Sequence, residues 1–159
     1  MKIAIITKYE DMHIHYNKWA HEENYINWRK DFYEGTRCTV AYAATELKSF
    51  LGRILKDAEI CYCSSASGDI NIHLEAENEQ GRSGIYSLVP CENGVKIIGK
   101  DRVGVLYGAY EFLKLQGYRW LSPDTDGGTV TPAKTDKLVL PKEEQHFAPK
   151  MDLWRGFDF

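Results

Sequence analysis

The sequence holds no long hydrophobic run, no excess of positive charge and few cysteines, and each shortage closes off a class of function. The longest apolar stretch near the start is Ile3-Ala4-Ile5-Ile6, with Asp11 and His13 soon after, far short of a signal peptide or a membrane span. A native start at Met1 would place the protein in the cytoplasm; removal of an export signal would place it in the periplasm or outside the cell. The formal net charge is -3, with acids and bases interspersed. No basic stripe is therefore available to neutralise phosphates or attract anionic lipid, so neither nucleic acid nor membrane is expected as a partner. Cys38, Cys61, Cys63 and Cys91 are too sparse for a disulfide scaffold, and Cys61-x-Cys63 lacks the two-residue spacer of zinc and redox pairs. On a strand both thiols would point the same way, as small buried apolar groups. The glycines between Gly94 and Gly108 form no dinucleotide or P-loop pattern, and no cofactor is expected.

What remains suits one compact domain. A chain of 159 residues, 43% hydrophobic and 27% charged, is long enough for a sizeable core and too short for two ordinary domains. KIAIIT reads as a buried first strand. From Tyr9 to Arg37 the chain is polar and dense in aromatics; Tyr25, Trp28 and Phe32 fall on one helical side and Gly35 is placed as a stop, which predicts a helix over about 17–34 within an insert. Val40, Ala44, Leu47, Leu51, Ile54 and Leu55 recur at three- and four-residue steps, with Thr39 as the expected N-cap of a second helix. EICYC and DINIHL read as strands. Ile85–Val89 and Val95–Ile98 flank Glu92-Asn93-Gly94, where Asn-Gly predicts the positive φ values of a hairpin turn. Asp101 is placed to cap a further helix that carries the stripes Val103/Leu106/Tyr110/Leu113 and Val105/Ala109/Phe112/Gln116 and ends at Gly117. Tyr118–Leu121 follows as a strand-like stub, 137–140 as a weak strand, and the polar stretch after Pro141 as a linker. The fold class expected is α/β (α+β): two layers, a mixed sheet with amphipathic helices packed on one face.

Groups able to carry chemistry are scarce. His13 and His15 would share a face only in extended chain, and neither they nor His21-Glu22-Glu23 have the i, i+4 histidine spacing of a helical zinc site, so no metal is expected. Tyr16, Trp19, Tyr25, Trp28, Phe32 and Tyr33 form either a platform on which sugar rings stack, with Trp19 and Trp28 as contacts, or a buried helix side or interface; the helical spacing favours the second. Glycoside hydrolysis needs two carboxylates flanking the bond. Glu22-Glu23, Asp124/Asp126 and Glu143-Glu144 lie in polar, turn-like surroundings and read as solvated charge, so no catalytic residue is assigned.

Ala43-Ala44-x-Glu46-Leu47-x-x-Phe50-Leu51, then Gly84-Ile85-Tyr86-Ser87-Leu88, then Gly99-Lys100-Asp101-x3-Gly104-x3-Gly108-Ala109-Tyr110-x-Phe112-Leu113, form a series over about residues 40–141. The series resembles the non-catalytic N-terminal domain of α-glucuronidases (glycoside hydrolase family 67), and a related domain in family 20 β-N-acetylhexosaminidases. Gly117-Tyr118-Arg119-Trp120-Leu121-x-Pro123 and Pro132 resemble that domain's exit. Pro149-x5-Arg155-Gly156-x-Asp158 resembles the first strand of a hexosaminidase-type (β/α)8 barrel, where the matching arginine binds sugar hydroxyls. The resemblance implies an accessory domain over 1–141, with an aromatic insert at about 9–37. A linker and the start of a catalytic barrel would occupy 142–159, with Arg155 as a substrate contact. The partners it implies are that C-terminal barrel and a carbohydrate. The alternatives are a stand-alone carbohydrate-binding module and a protein-interaction domain.

Overall fold

The computed structural model describes residues 1–77, 83–122 and 128–150. Strand β1 (Lys2–Ile6) leads to helix α1 (Met12–Ala20), a 3₁₀ turn (Glu23–Tyr25) and the long helix α2 (Phe32–Ile54). Strands β2 (Glu59–Cys63), β3 (Ile70–Ala76), β4 (Tyr86–Cys91) and β5 (Gly94–Gly99) follow, then helix α3 (Arg102–Leu115). Short strands β6 (Arg119–Trp120), β7 (Thr129–Val130) and β8 (Gln145–Phe147) complete the described elements. The main sheet has the order β2-β1-β3-β5-β4-β8, and β6 and β7 form a separate ribbon. β2, β1, β3 and β5 run parallel, and β4 is antiparallel to both β5 and β8. This is the expected two-layer mixed architecture.

Alternation along the strands divides the sheet into two faces. Ile3, Ile5, Ile72, Leu74, Leu88, Val95 and Ile97 share one face by register and are almost wholly buried. They join one core with Val40, Ala44, Leu47, Leu51 and Ile54 of α2 and Val105, Ala109 and Phe112 of α3, the positions whose periodicity predicted the helices. α1 lies at the β2 end, where Tyr16 meets Tyr62 at 4.5 Å between ring centroids.

The opposite face is only partly bare. Residues 64–69 return the chain from the end of β2 to the start of β3 across it. Asn71, whose side chain lies on that face, accepts from the N–H groups of Ser67 and Gly68 and donates to the Gly68 carbonyl. Asp69 closes the crossing with bonds in both directions to Lys2. Ala4 and Ile6 beneath are consequently buried, although no helix covers them. Cys61 and Cys63 do point the same way, with sulfurs 3.3 Å apart, but both stay half-exposed rather than buried.

Between residues 9 and 37 the structure corrects the expectation. No single helix spans 17–34: α1 ends at Ala20 and α2 begins at Phe32, so Tyr25, Trp28 and Phe32 share no helix face. The break is made by Asn27 and Asp31. Asp31 accepts from the Asn27 N–H at 2.9 Å, and the Asn27 side chain accepts from the Arg29 N–H, an alternative to helical pairing that Asn and Asp offer readily. Gly35 is not a stop but lies inside α2, where the ring of Trp28 rests on it; a Cβ there would stand 3.2 Å from that ring. Thr39 is likewise interior and not an N-cap, its hydroxyl donating to the Gly35 carbonyl. His13 and His15 fall on α1, two residues apart and so on different sides of it.

The hairpin β4–β5 forms around Glu92-Asn93, and only Asn93 takes a positive φ (55°). Gly94 already belongs to β5, pressed against the β3 backbone. Asp101 caps α3 as expected, and Gly117 ends it at φ 103°. Gly104 and Gly108 bring α3 close to the sheet: a Cβ on Gly104 would stand 2.1 Å from the Ile85 carbonyl oxygen, and one on Gly108 would stand 2.5 Å from Ile97 Cγ2. Residues 137–140 form no strand; the Val139 N–H and carbonyl bond the Gln116 side chain instead. The added strand is β8, within the stretch read as a linker, which pairs with Tyr86–Leu88 of β4 and leaves Val89, Pro90 and Cys91 unpaired on that side among the described residues.

Candidate functional site

In an open parallel sheet the loops at the carboxyl ends of the strands converge, and ligands bind there by preference. Here α2 runs back to β2, which is parallel to β1, and α3 follows β5, so both helix starts come to that end. They border a crevice of about 430 Å³ lined by Phe32, Tyr33 and Thr36 from α2, Arg102 and Val103 from α3, and Ser83 and Asp101 from the loops. The volume lies in the range of small-ligand pockets, about 300–1,000 Å³.

One wall is a knot around Asp101. Its carboxylate accepts from the Gly104 N–H at 2.8 Å, from the Gly84 N–H at 3.2 Å and from the Ser83 hydroxyl. These three donors satisfy the acid, so Asp101 builds the wall and is not free to act as an acid or base. The second wall is aromatic. Phe32 and Tyr33, 65% and 58% exposed, present large ring surfaces, although the Tyr33 ring also meets that of the buried Tyr9 edge-on at 5.7 Å.

Arg102 stands between the walls. Its guanidinium lies 5.0 Å from the centre of the Trp28 ring. Trp28 is itself held by its indole N–H, which donates to the Glu23 carbonyl at 3.2 Å. Stacking on an aromatic face suits a weakly hydrated guanidinium and leaves its N–H edges available. Among the described residues no carboxylate pairs with Arg102. Nothing local in the sequence marked it: the residue after a helix cap is ordinary, and only the juxtaposition of two helix starts gives it a setting.

The other expected sites are placed differently. Trp19 packs edge-on to Tyr9, with the Arg37 guanidinium 4.8 Å over its ring. Glu22, expected as solvated charge, is nearly buried and accepts from Arg37 at 2.8 Å. That pair supports the segment between α1 and α2. Asp124, Asp126 and Arg155 lie outside the described residues. Glu144 borders a smaller groove of about 180 Å³ together with Glu77, Lys100 and His146, and both acids are exposed. A third notch, of about 390 Å³, is lined by Ile6, Thr7, Lys8, Ser64, His73 and Glu75; burial pushes the His73 pKa below the usual histidine value. Among the described residues no three His, Cys, Asp or Glu side chains gather as a metal site would require.

No protein-family model matches the chain, and no curated protein matches it by sequence. Solved structures do match. One is a family GH115 4-O-methyl-α-glucuronidase with specificity for decorated arabinogalactans. It is 18% identical with a TM-score of 0.58, over 72% of this chain and 16% of that one. Another is a GH138 enzyme targeting pectin rhamnogalacturonan II, 14% identical with a TM-score of 0.48, over 81% of this chain and 11% of that one. The likeness is one of fold. A fold of this kind occurs within the GH115 enzyme, and this chain spans only 16% and 11% of the two enzymes' lengths.

Proposed function

We propose that the chain is a non-catalytic accessory domain that precedes the catalytic (β/α)8 barrel of an α-glucuronidase-like glycoside hydrolase. The observation that carries this reading is the match of fold to a segment making up 16% of a much longer glucuronidase chain. The series Gly99-Lys100-Asp101 to Leu113 supports it, because those residues make the Asp101 knot and the close seat of α3 on the sheet. The state of the acids supports it as well. Hydrolysis requires one carboxyl desolvated enough to keep its proton, opposite a second that stays ionised. Among the described residues, Asp101 and Glu22 are tied to donors, and Glu77 and Glu144 are open to water. On this reading the catalytic acids belong to the barrel, and the domain packs against it.

The test is to read the coding sequence past Phe159 and to assay the whole protein and the 159-residue chain side by side on 4-nitrophenyl α-D-glucuronide. The expected result is a following segment of about 200 or more residues with barrel periodicity, activity in the whole protein and none in the chain alone. A stop codon directly after Phe159, or hydrolysis by the chain alone, overturns the reading.

A further inference from the structure

Arg102 poses a problem that the accessory role does not solve. A half-buried guanidinium ordinarily has a carboxylate for company, because taking a charge from water without a partner is costly. Here Asp101, next in sequence, is consumed by Gly104, Gly84 and Ser83, and Arg102 is held against Trp28 beside an open crevice. The polar edge of the cation therefore borders the cavity without an anion among the described residues.

The rest of the lining narrows what that anion is. Phe32 and Tyr33 expose ring faces at the first turn of α2, and such faces match the C–H side of a pyranose ring better than a bare inorganic ion. Ser83 and Thr36 also line the space, with their hydroxyl protons already given to Asp101 and to the Phe32 carbonyl. A planar guanidinium pairs with a planar carboxylate through two parallel N–H···O bonds. We propose that the crevice between the starts of α2 and α3 binds a hexuronic acid unit, with Arg102 taking its carboxylate, Phe32 and Tyr33 its ring, and Trp28 positioning the arginine. The choice of a sugar rests on the carbohydrate-active reading above; the placement of an anion at Arg102 rests on the geometry alone.

The test is calorimetric titration of the chain with D-glucuronate, with D-glucose as the neutral twin and with acetate as the bare carboxylate. Glucuronate binds saturably at a Kd of about 10 mM or tighter, and glucose and acetate bind at least about tenfold more weakly. Arg102→Gln weakens glucuronate about tenfold or more and leaves the weak glucose response unchanged, whereas Phe32→Ala weakens both sugars. Arg102→Lys, which keeps the charge and loses the fork, falls between the wild type and Arg102→Gln. An unchanged far-ultraviolet circular dichroism spectrum and thermal midpoint show that the variants fold. Absence of saturation, equal binding of glucose, or an unaltered affinity in folded Arg102→Gln overturns the proposal, and acetate binding as tightly as glucuronate overturns its sugar component. None of these outcomes bears on whether a barrel follows the domain, so the two readings fail separately.

Discussion

The Tyr110 hydroxyl on α3 donates a 2.6 Å hydrogen bond to Glu46 Oε2 on α2. Burial first, and then Glu46, raise the Tyr110 pKa above its ordinary value, so the donor keeps its proton at any physiological pH. Tyr110→Phe should lower stability by about 1.5–3 kcal/mol, the range for a hydrogen bond to a charged group, towards its lower end because the bond is only partly buried. Urea unfolding followed by fluorescence measures it, and an unchanged midpoint would show that the contact is energetically idle.

The Asp101 knot is expected to matter more than an ordinary cap, because the same carboxylate fastens the 83–84 loop as well as α3. Asp101→Ala should cost at least the roughly 0.5–2 kcal/mol of a lost N-cap. Amide exchange should quicken at Gly84 and Gly104 together. Faster exchange at only one of them would mean that the loop and the helix are not coupled through this side chain.

Two glycines should respond to alanine in opposite ways. Gly52, inside α2, has open space around it, so Gly52→Ala should stabilise the protein by about 0.5–1 kcal/mol through better helix propensity. Gly94 has its Cβ position 1.9 Å from the Asn71 carbonyl oxygen, a backbone atom that cannot swing away. Gly94→Ala should cost more than the usual range of about 1–3 kcal/mol for overpacking. Thermal denaturation of both variants decides the signs.

One buried phenol and one half-buried histidine make stability depend on pH. The Tyr9 pKa is raised to about 12, chiefly by burial, so its contribution is complete below about pH 10, where an unfolded tyrosine titrates. That contribution is lost as pH climbs from there towards 12. The pKa of His73 is lowered, chiefly by burial, so its contribution is complete above about 6.5 and is lost as pH falls below that value. His73→Gln should therefore flatten the acid decline of the unfolding midpoint and leave the alkaline limb alone. An unaltered acid limb would count against burial of the ring.

Tyr9 and Tyr118 make a further contrast. Both are buried, but the Tyr118 hydroxyl donates to the Phe50 carbonyl at 2.7 Å, and the Tyr9 hydroxyl finds no protein partner among the described residues. Tyr118→Phe should cost about 1 kcal/mol, and Tyr9→Phe should be close to neutral. Equal losses in chemical denaturation would contradict the difference.

The helices and strands that could be read from sequence are those whose local signals agree. In α3 the cap, the stripe Val105/Ala109/Phe112 and the stop at Gly117 all point the same way, and α2 announced itself through Val40, Leu47 and Leu51. The segment from Tyr9 to Arg37 failed because aromatic spacing there mimicked a helix face. The deciding bonds, Asp31 to Asn27 and the seat of Trp28 on Gly35, depend on side-chain placement that spacing cannot express. β8 was illegible for another reason: Gln-His-Phe has no strand pattern of its own, and the exposed edge of β4 supplies one. The crevice was half legible, since Phe32 and Tyr33 belonged to the aromatic cluster, but Arg102 gains its setting only when α2 and α3 start side by side.

The brevity of β8 leaves Val89 to Cys91 of β4 unpaired on that side among the described residues, and that stretch contains Pro90. An unpaired strand edge is a template on which another chain can add its own strand, the first step of many aggregation routes. Proline offers no N–H to such a visitor, so a strand arriving beyond Leu88 would find a gap in the ladder. Replacing Pro90 with a β-branched residue would strengthen the strand on paper while giving neighbouring molecules a continuous edge to pair with. In a concentrated solution this proline therefore helps to keep copies of the chain apart.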